Sequence, residues 1–197
     1  MTATMTMDIP RMTTDADVDC VRAAVSGVPA GGVAVEFGPW LGGLSVVLAD
    51  RLDLHVVDRF LWTSDHMKKV PGKLNVDDDF QSMLHGTLID AGLRATIHKS
   101  TFENFTWDGG KIAMIVVDGP KTAPTLKACL SGVINHLDTS ATVLIKNGLS
   151  PLYSDMATYL ERLVDAEILR LPEQTVLANC NMPVSYTHLT LPTILLV

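Results

Sequence analysis

Short, almost wholly apolar runs alternate along this chain with longer stretches in which apolar residues recur at helical spacing. A continuous apolar run predicts a strand that is covered on both faces, as in a parallel sheet. The predicted strands are residues 33–37, 54–57, 95–98, 112–117 and 141–145. The predicted helices are residues 15–26, 44–51, 76–91, 125–137 and 153–164. This alternation predicts a doubly wound α/β fold, a mostly parallel sheet with helices on both faces.

The remaining segments set the expected domain limits. Residues 1–14 read as a loose leader and residues 15–180 as one domain, which we expect to close with strands at 167–171 and 175–178. The aspartates at 77–79 suit the first turn of the third helix. The polar stretch 59–75 follows the second strand, and either a lid or a solvated surface excursion fits it. Residues 184–197 resemble translated sequencing-adapter read-through and are set aside as an artefactual tail.

Composition narrows the class of protein. With 197 residues, 47% hydrophobic and 19% charged, the chain can bury a core. The net charge of −7 argues against a nucleic-acid partner, which needs a basic face. Three widely spaced cysteines suit buried, reduced thiols, and we expect a cytoplasmic protein without membrane contact. Oligomeric state is left open.

The first predicted strand leads into a glycine turn. It ends in Glu36-x-Gly38-x-x-x-Gly42, and a helix follows. Glycine suits such a turn because it tolerates positive φ and lets a ligand approach the backbone. The spacing differs from the Gly-x-Gly-x-x-Gly of dinucleotide sites. An ordinary strand–helix turn, with glycines for geometry alone, also fits.

A second acidic residue supports a binding site at this edge of the sheet. Asp58 ends the second strand, where a carboxylate can accept both hydroxyls of a ribose. The alternative for Asp58 is a turn or helix-capping aspartate.

Over residues 31–178 these motifs resemble the class I S-adenosylmethionine-dependent methyltransferases. The resemblance implies a Rossmann-like fold, S-adenosyl-L-methionine as cofactor, and Glu36 facing its ammonium directly or through water. The cofactor-binding residues that it implies are Glu36, Gly38, Trp40, Gly42, Asp58, Thr101, Phe102 and Asp118. For Phe102, packing in the core is an equal alternative to lying against the adenine.

Within that class the chain is most similar to small-molecule O-methyltransferases acting on sugars or catechol-like acceptors. Asp118-Gly-Pro-Lys121 resembles their Asp-x-x-Lys, in which the catechol-type members use the aspartate for a divalent metal and the lysine as base. Those members carry Asp-Asn after the fifth strand, whereas this chain has Lys146-Asn147. An ammonium in place of a carboxylate weakens a magnesium site, so we expect no metal.

The sequence therefore predicts a methyltransferase acting on a small molecule, at oxygen, with Lys121 and Lys146 as catalytic residues. Lysine serves as a base where burial or a nearby cation lowers its pKa, and Lys146 is such a cation. Surface charge is the plain alternative for both lysines. Two other functions stay open. One is a non-catalytic protein that keeps the cofactor pocket, and the other is a nicotinamide-dependent oxidoreductase, which the glycine spacing disfavours.

Overall fold

The computed structural model of the chain describes residues 9–10, 12–148, 150–169 and 184–186. Its strands are β1 (Val33–Phe37), β2 (Asp53–Asp58), β3 (Thr96–Lys99), β4 (Ile112–Val117), β5 (Leu137–Ile145) and β6 (Val184–Tyr186). In the described part they form one sheet in the order β3-β2-β1-β4-β5-β6. The first five run parallel and β6 is antiparallel to β5. The strand order reverses between β1 and β4, where ligands bind in such sheets.

The helices are α1 (Asp15–Ser26), α2 (Ser45–Ala49), α3 (Ser64–Lys69), α4 (Gln81–Asp90), α5 (Ala123–Ser131) and α6 (Ser154–Asp165). Threonines begin three of them. Thr14, Thr63 and Thr122 each accept a main-chain N–H from the first turn of their helix. A side-chain acceptor at this position satisfies one of the free N–H groups of a helix start.

The two faces of the sheet bury separate cores because successive strand residues point to opposite sides. Ala34 and Met114 lie in the core beneath α1, α2 and α4, whereas Val35 and Ile115 lie in the core beneath α5 and α6. All four side chains are fully buried. The fold class predicted from the alternation of elements is confirmed. No helix in the described residues is long and apolar enough to cross a membrane.

Several predicted boundaries were wrong. The helix predicted at 125–137 is α5, which ends at Ser131 with Gly132 as its C-cap. Strand β5 begins at Leu137, so it includes residues 138–140, which were predicted to be a loop between the helix and the strand. Residues 77–79 precede α4 and do not form its first turn: Asp77 has φ +70°, and the carboxylate of Asp79 accepts the N–H of Gln81. The polar stretch 59–75 contains α3, which was not predicted. This helix begins with a capping box, in which the side chains of Thr63 and His66 each accept the main-chain N–H of the other residue.

The closing strands were also placed differently. Glu167 follows α6 in a turn with φ +58°, so the described part of the strand predicted at 167–171 is not extended. The strand predicted at 175–178 lies outside the described residues, as does Cys180. Cys20 and Cys129 are buried, as expected. The last described strand, β6, belongs to the segment set aside as a tail, so the sheet is not complete before it.

Candidate functional site

The turn after β1 brings two main-chain segments into contact. Gly38 has φ +81°, and a Cβ built on it would lie 2.7 Å from the main-chain nitrogen of Gly119. A side chain at position 38 would therefore clash with the turn that follows β4, besides being strained. The turn leaves a cleft open at the carboxyl edge of the sheet. The residues lining the cleft are Met12, Thr13, Glu36, Gly38, Pro39, Trp40, Gly43, Leu44, Asp58, His66, Asp118, Gly119 and Lys121.

Three carboxyl groups from adjacent strands meet in this cleft. Glu36 is the fourth residue of β1, Asp58 ends β2, and Asp118 follows β4. The parallel register sets Phe37 beside Val57 on one side and Val117 on the other, which aligns the three strand ends. Acidic residues separated by 82 positions of sequence, from Glu36 to Asp118, therefore share one site.

Glu36 is the most deeply buried of the three. Its side chain is 1% exposed and accepts a 2.6 Å hydrogen bond from Ser45 Oγ. Burial, together with the charges of Asp118 and Asp58, raises the pKa of Glu36 to about 8, although the Ser45 hydrogen bond lowers it. Among the described residues no cation contacts this carboxyl. A buried carboxyl without a cationic partner suits a ligand that brings a cation with it.

Asp58 is held by the turn that it begins. Its Oδ1 accepts a 2.7 Å hydrogen bond from the N–H of Phe60, whose φ is +57°. Burial raises the pKa of Asp58, and the hydrogen bond from Phe60 and the charge of Arg59 lower it. The main-chain N–H groups of Phe60 and Arg59 both hold this carboxylate, which also lines the cleft.

Asp118 forms the most enclosed ion pair of the site. Lys146 Nζ lies 2.8 Å from Asp118 Oδ1, and the two side chains are 9% and 16% exposed. Burial raises the pKa of Asp118 to about 6, against the lowering effect of Lys146. The same ammonium donates a 3.1 Å hydrogen bond to the main-chain oxygen of Met12. The position beside Asp118 where a cation would bind is thus taken by Lys146.

The segment before α1 forms one wall of the cleft. Met12 and Thr13 line it, and Thr13 Oγ1 is buried without a hydrogen-bond partner among the described residues. The remaining cavity measures about 120 Å³, below the roughly 300–1,000 Å³ usual for small-molecule sites.

Lys121 and His66 both line the cleft, on the segments that follow β4 and β2. Lys121 follows β4, is 54% exposed, and its Nζ lies 3.7 Å from Asp65 Oδ2 on α3. His66 is the next residue of α3, and its ring packs on Trp40 at a centroid distance of 5.7 Å. Trp40 has φ +45°, an unusual conformation for a large side chain, and is 8% exposed.

The structure brings together only some of the residues chosen from the sequence. Glu36, Gly38, Trp40, Asp58, Asp118 and Lys121 line the cleft. Gly42 has φ +90°, and a Cβ there would meet Leu84 on α4 at 2.9 Å, so it serves packing of the turn. Thr101 and Phe102 are absent from the lining; Phe102 packs edge-on against Phe37 at 5.7 Å.

Sequence reasoning missed His66, Met12 and Thr13. His66 lies in a stretch without apolar periodicity, and the signal that could have found it is the pattern Thr63-x-x-His66 at a helix start. Met12 and Thr13 reach the cleft through a contact with Lys146 across 134 positions of sequence, which no local pattern carries.

Comparisons with known proteins come from solved structures. No protein-family model and no curated protein sequence matches the chain. The O-methyltransferase NovP is similar with a TM-score of 0.64 and 13% identity, covering 87% of this chain and 79% of that chain. The TDP-rhamnose 3'-O-methyltransferase CalS11, an enzyme in calicheamicin biosynthesis, has a TM-score of 0.55 and 15% identity, covering 88% of this chain and 77% of that chain. An rRNA methylase from Streptococcus thermophilus has a TM-score of 0.50 and 11% identity, covering 86% of this chain and 91% of that chain.

The chain has the Rossmann-like fold of S-adenosylmethionine-dependent methyltransferases. The site fits that cofactor on two observations: the buried Glu36 carboxyl lacks a described cation, and Asp58 lines the same cleft. Among the described residues no group of three His, Cys, Asp or Glu side chains has metal-binding geometry. Independence of a metal stays a prediction.

Proposed function

We propose that this chain is an S-adenosylmethionine-dependent methyltransferase acting at an oxygen of a small-molecule acceptor. The observation that carries the proposal is the meeting of Glu36, Asp58 and the Gly38 turn in one cleft. Glu36 would bind the ammonium of the cofactor and Asp58 its ribose hydroxyls, while the bare backbone at Gly38 admits it closely. When bound, the cofactor would supply a methyl group on a sulfonium: the acceptor oxygen would attack the methyl carbon in line, the S–CH3 bond would break, and S-adenosylhomocysteine would leave.

The protein's own part is to orient the acceptor and accept its proton. Asp118 is suited to accept the proton because it lines the cleft and its pKa of about 6 is close to physiological pH. Lys146 positions this carboxylate through their 2.8 Å contact and occupies the place of a metal. We therefore propose methyl transfer without a divalent cation.

The sequence assigned the base to Lys121, and that assignment stays a competing proposal. Lys121 is 54% exposed and faces the carboxylate of Asp65 at 3.7 Å. A lysine acts as a base where it is buried, and Lys121 is not. For this reason we favour Asp118 as the base and Lys121 as a binding group.

The test is methyl transfer from S-adenosylmethionine to a panel of phenols, catechols and sugars, with and without EDTA. We expect activity that survives the chelator, a kcat about 10²–10⁴-fold lower in Asp118→Asn, the scale of general-base loss, and a raised KM in Lys121→Met. A kcat loss of that size in Lys121→Met, with activity kept in Asp118→Asn, would return the base to Lys121. Binding of S-adenosylhomocysteine without transfer to any acceptor would favour the non-catalytic alternative.

Tighter binding of a nicotinamide cofactor than of S-adenosylhomocysteine would overturn the class. An rRNA methylase shares the fold, so a structured RNA belongs in the acceptor panel. Transfer to RNA and to none of the small molecules would overturn the proposed acceptor class, for which the net charge of −7 is the present argument.

A further inference from the structure

His66 is held in one orientation within the cleft wall. Its ring centroid lies 5.0 Å from that of Trp62 and 5.5 Å from that of Phe80, both in edge-on contact, besides the contact with Trp40. Trp62 and Phe80 are fully buried, so the ring rests on a rigid base. A side chain packed in this way presents the same atom to every ligand.

The cap of α3 determines which nitrogen of His66 carries a proton. The N–H of Thr63 donates to His66 Nδ1 at 3.1 Å, and the N–H of His66 donates to Thr63 Oγ1 at 3.3 Å. Because Nδ1 accepts, the neutral ring carries its proton on Nε2. Burial lowers the pKa of His66, which favours the neutral form. Within the described chain nothing hydrogen-bonds to Nε2, so this N–H is a donor held ready for a ligand.

Lys121 supplies a positive charge to the same side of the cleft. Its present partner, Asp65, is 57% exposed and has a closer partner in Lys68 at 2.8 Å. Exposed ion pairs contribute little to stability, so Lys121 can leave Asp65 for a ligand at small cost. Asp65 then keeps its contact with Lys68.

The charges of the loaded site leave Lys121 unmatched. If the proposed function holds, Glu36 faces the cofactor ammonium, Asp58 faces the ribose, and Lys146 stays with Asp118. Among the described residues lining the cleft, Lys121 is then the cation without an enclosed counter-charge. An anion in the cleft could accept one hydrogen bond from this ammonium and another from the Nε2–H of His66.

We propose that His66 Nε2–H and Lys121 Nζ together bind an anionic group, a carboxylate or a phosphate, on the methyl acceptor. The inference rests on the proposed function and adds the chemical class of the acceptor. His66 acts as a specificity-determining residue and not as a base, because its Nδ1 is committed to the helix cap and its Nε2 bears a proton.

The experiment is calorimetry on the full chain saturated with S-adenosylhomocysteine, titrated with benzoate, phenyl phosphate and, as the neutral match, benzyl alcohol. We expect the wild type to bind one of the anions at least about tenfold more tightly than benzyl alcohol, the scale of a hydrogen bond to a charged group. The preferred anion separates a carboxylate site from a phosphate site.

Two variants of His66 separate ligand binding from the structural cap. Asn at this position can replace Nδ1 as the acceptor for Thr63 but cannot reach as far as Nε2, whereas Gln can present an N–H near Nε2. We expect His66→Asn to keep the thermal stability and lose the preference for the anion. We expect His66→Gln to keep the preference while losing stability through the weakened cap.

Lys121→Met is expected to lose the preference for the anion as well. This variant should fold, because the Lys121 side chain is exposed. Lys68→Met is the matched control, because Lys68 contacts the same Asp65 without lining the cleft. Equal binding of the anions and benzyl alcohol by the wild type overturns the inference, as does an unchanged preference in both His66→Asn and Lys121→Met. Failure to bind S-adenosylhomocysteine at all overturns the proposed function, and the inference with it.

Discussion

Lys146 Nζ lies 2.8 Å from Asp118 Oδ1, so a cation carried by the chain itself sits against the carboxylate that follows β4. The pair joins the ends of two neighbouring strands, β4 and β5. It also ties the segment before α1 to the sheet, because the same ammonium binds the carbonyl of Met12 at 3.1 Å. One side chain therefore links the β4 end, the β5 end and the cleft wall.

Removing this cation is expected to destabilise the protein. Lys146→Met leaves the largely enclosed Asp118 without its partner, and breaking an enclosed ion pair in this way costs about 3 kcal/mol. Urea unfolding at pH 7.5 measures the loss. The deficit should shrink at pH 5, where Asp118, with its pKa of about 6, becomes neutral. Lys127→Met, at an exposed position of α5, is the control. Equal stability of Lys146→Met and wild type would show that the pair contributes nothing.

Asp58 is expected to bind the ribose of the cofactor. Asp58→Ala should weaken S-adenosylhomocysteine binding by about 1.5–3 kcal/mol, the scale of hydrogen bonds to a charged group. Asp58 also holds the turn through the N–H of Phe60, so Asp58→Asn, which keeps an acceptor for that N–H, is the second variant. Asp53→Ala, at the exposed start of the same strand, is the control for calorimetry. Unchanged affinity in both Asp58 variants would remove the ribose assignment.

Glu36 makes cofactor affinity depend on pH. Its pKa of about 8 means that the free protein holds a proton there at pH 7, and binding an ammonium requires its release. We expect the affinity for S-adenosylhomocysteine to rise by about tenfold per pH unit between pH 6 and 8. Calorimetry in buffers of different ionisation enthalpy also detects the released proton. In Glu36→Gln the pH slope should vanish; an equal slope in this variant would assign the titration to another group.

The same group makes folding stability depend on pH. The unfolded chain releases the Glu36 proton near its ordinary pKa of 4.5, whereas the folded chain keeps it until about 8. The folded state binds more protons in this window, so the contribution of Glu36 to stability falls as pH rises through it. His66 acts in the opposite direction, because its lowered pKa costs stability as pH falls below 6.5. The difference in melting temperature between Glu36→Gln and wild type should therefore widen from pH 5 to pH 8.

Because strand β6 lies in the segment set aside as a tail, truncating that segment tests whether it contributes to stability. Val184–Tyr186 pairs with β5 through Leu144, Val143 and Thr142. Removing residues 187–197 is expected to leave the melting temperature unchanged. Removing residues 184–197 exposes main-chain groups of β5 to water and should cost about 1 kcal/mol, the net worth of a hydrogen bond. If both truncations melt like the full chain, the tail can be set aside entirely, as its resemblance to read-through implies.

The sequence by itself determined the layers of the fold and the acidic ends of the central strands. Ile112–Val117 could be predicted as a strand because a short apolar run rich in β-branched residues suits a strand covered on both faces of a sheet. Glu36 and Asp58 could be chosen from local spacing alone, since each ends or nearly ends an apolar run beside a turn. The spacing of apolar residues along the chain indicates where strands and helices begin and end, and so it also indicates which polar residues stand at their ends.

Tertiary structure alone decided what each polar side chain faces. Lys121 and Lys146 look alike in sequence, yet Lys121 pairs with the exposed Asp65 and Lys146 with the largely enclosed Asp118. His66 entered the site because the loops after β2 and β4 flank the same strand, which brings residues far apart in the chain to one cleft. The burial and protonation of a polar side chain depend on neighbours that are distant in sequence. The spacing of apolar residues predicts strands and helices but does not predict these neighbours.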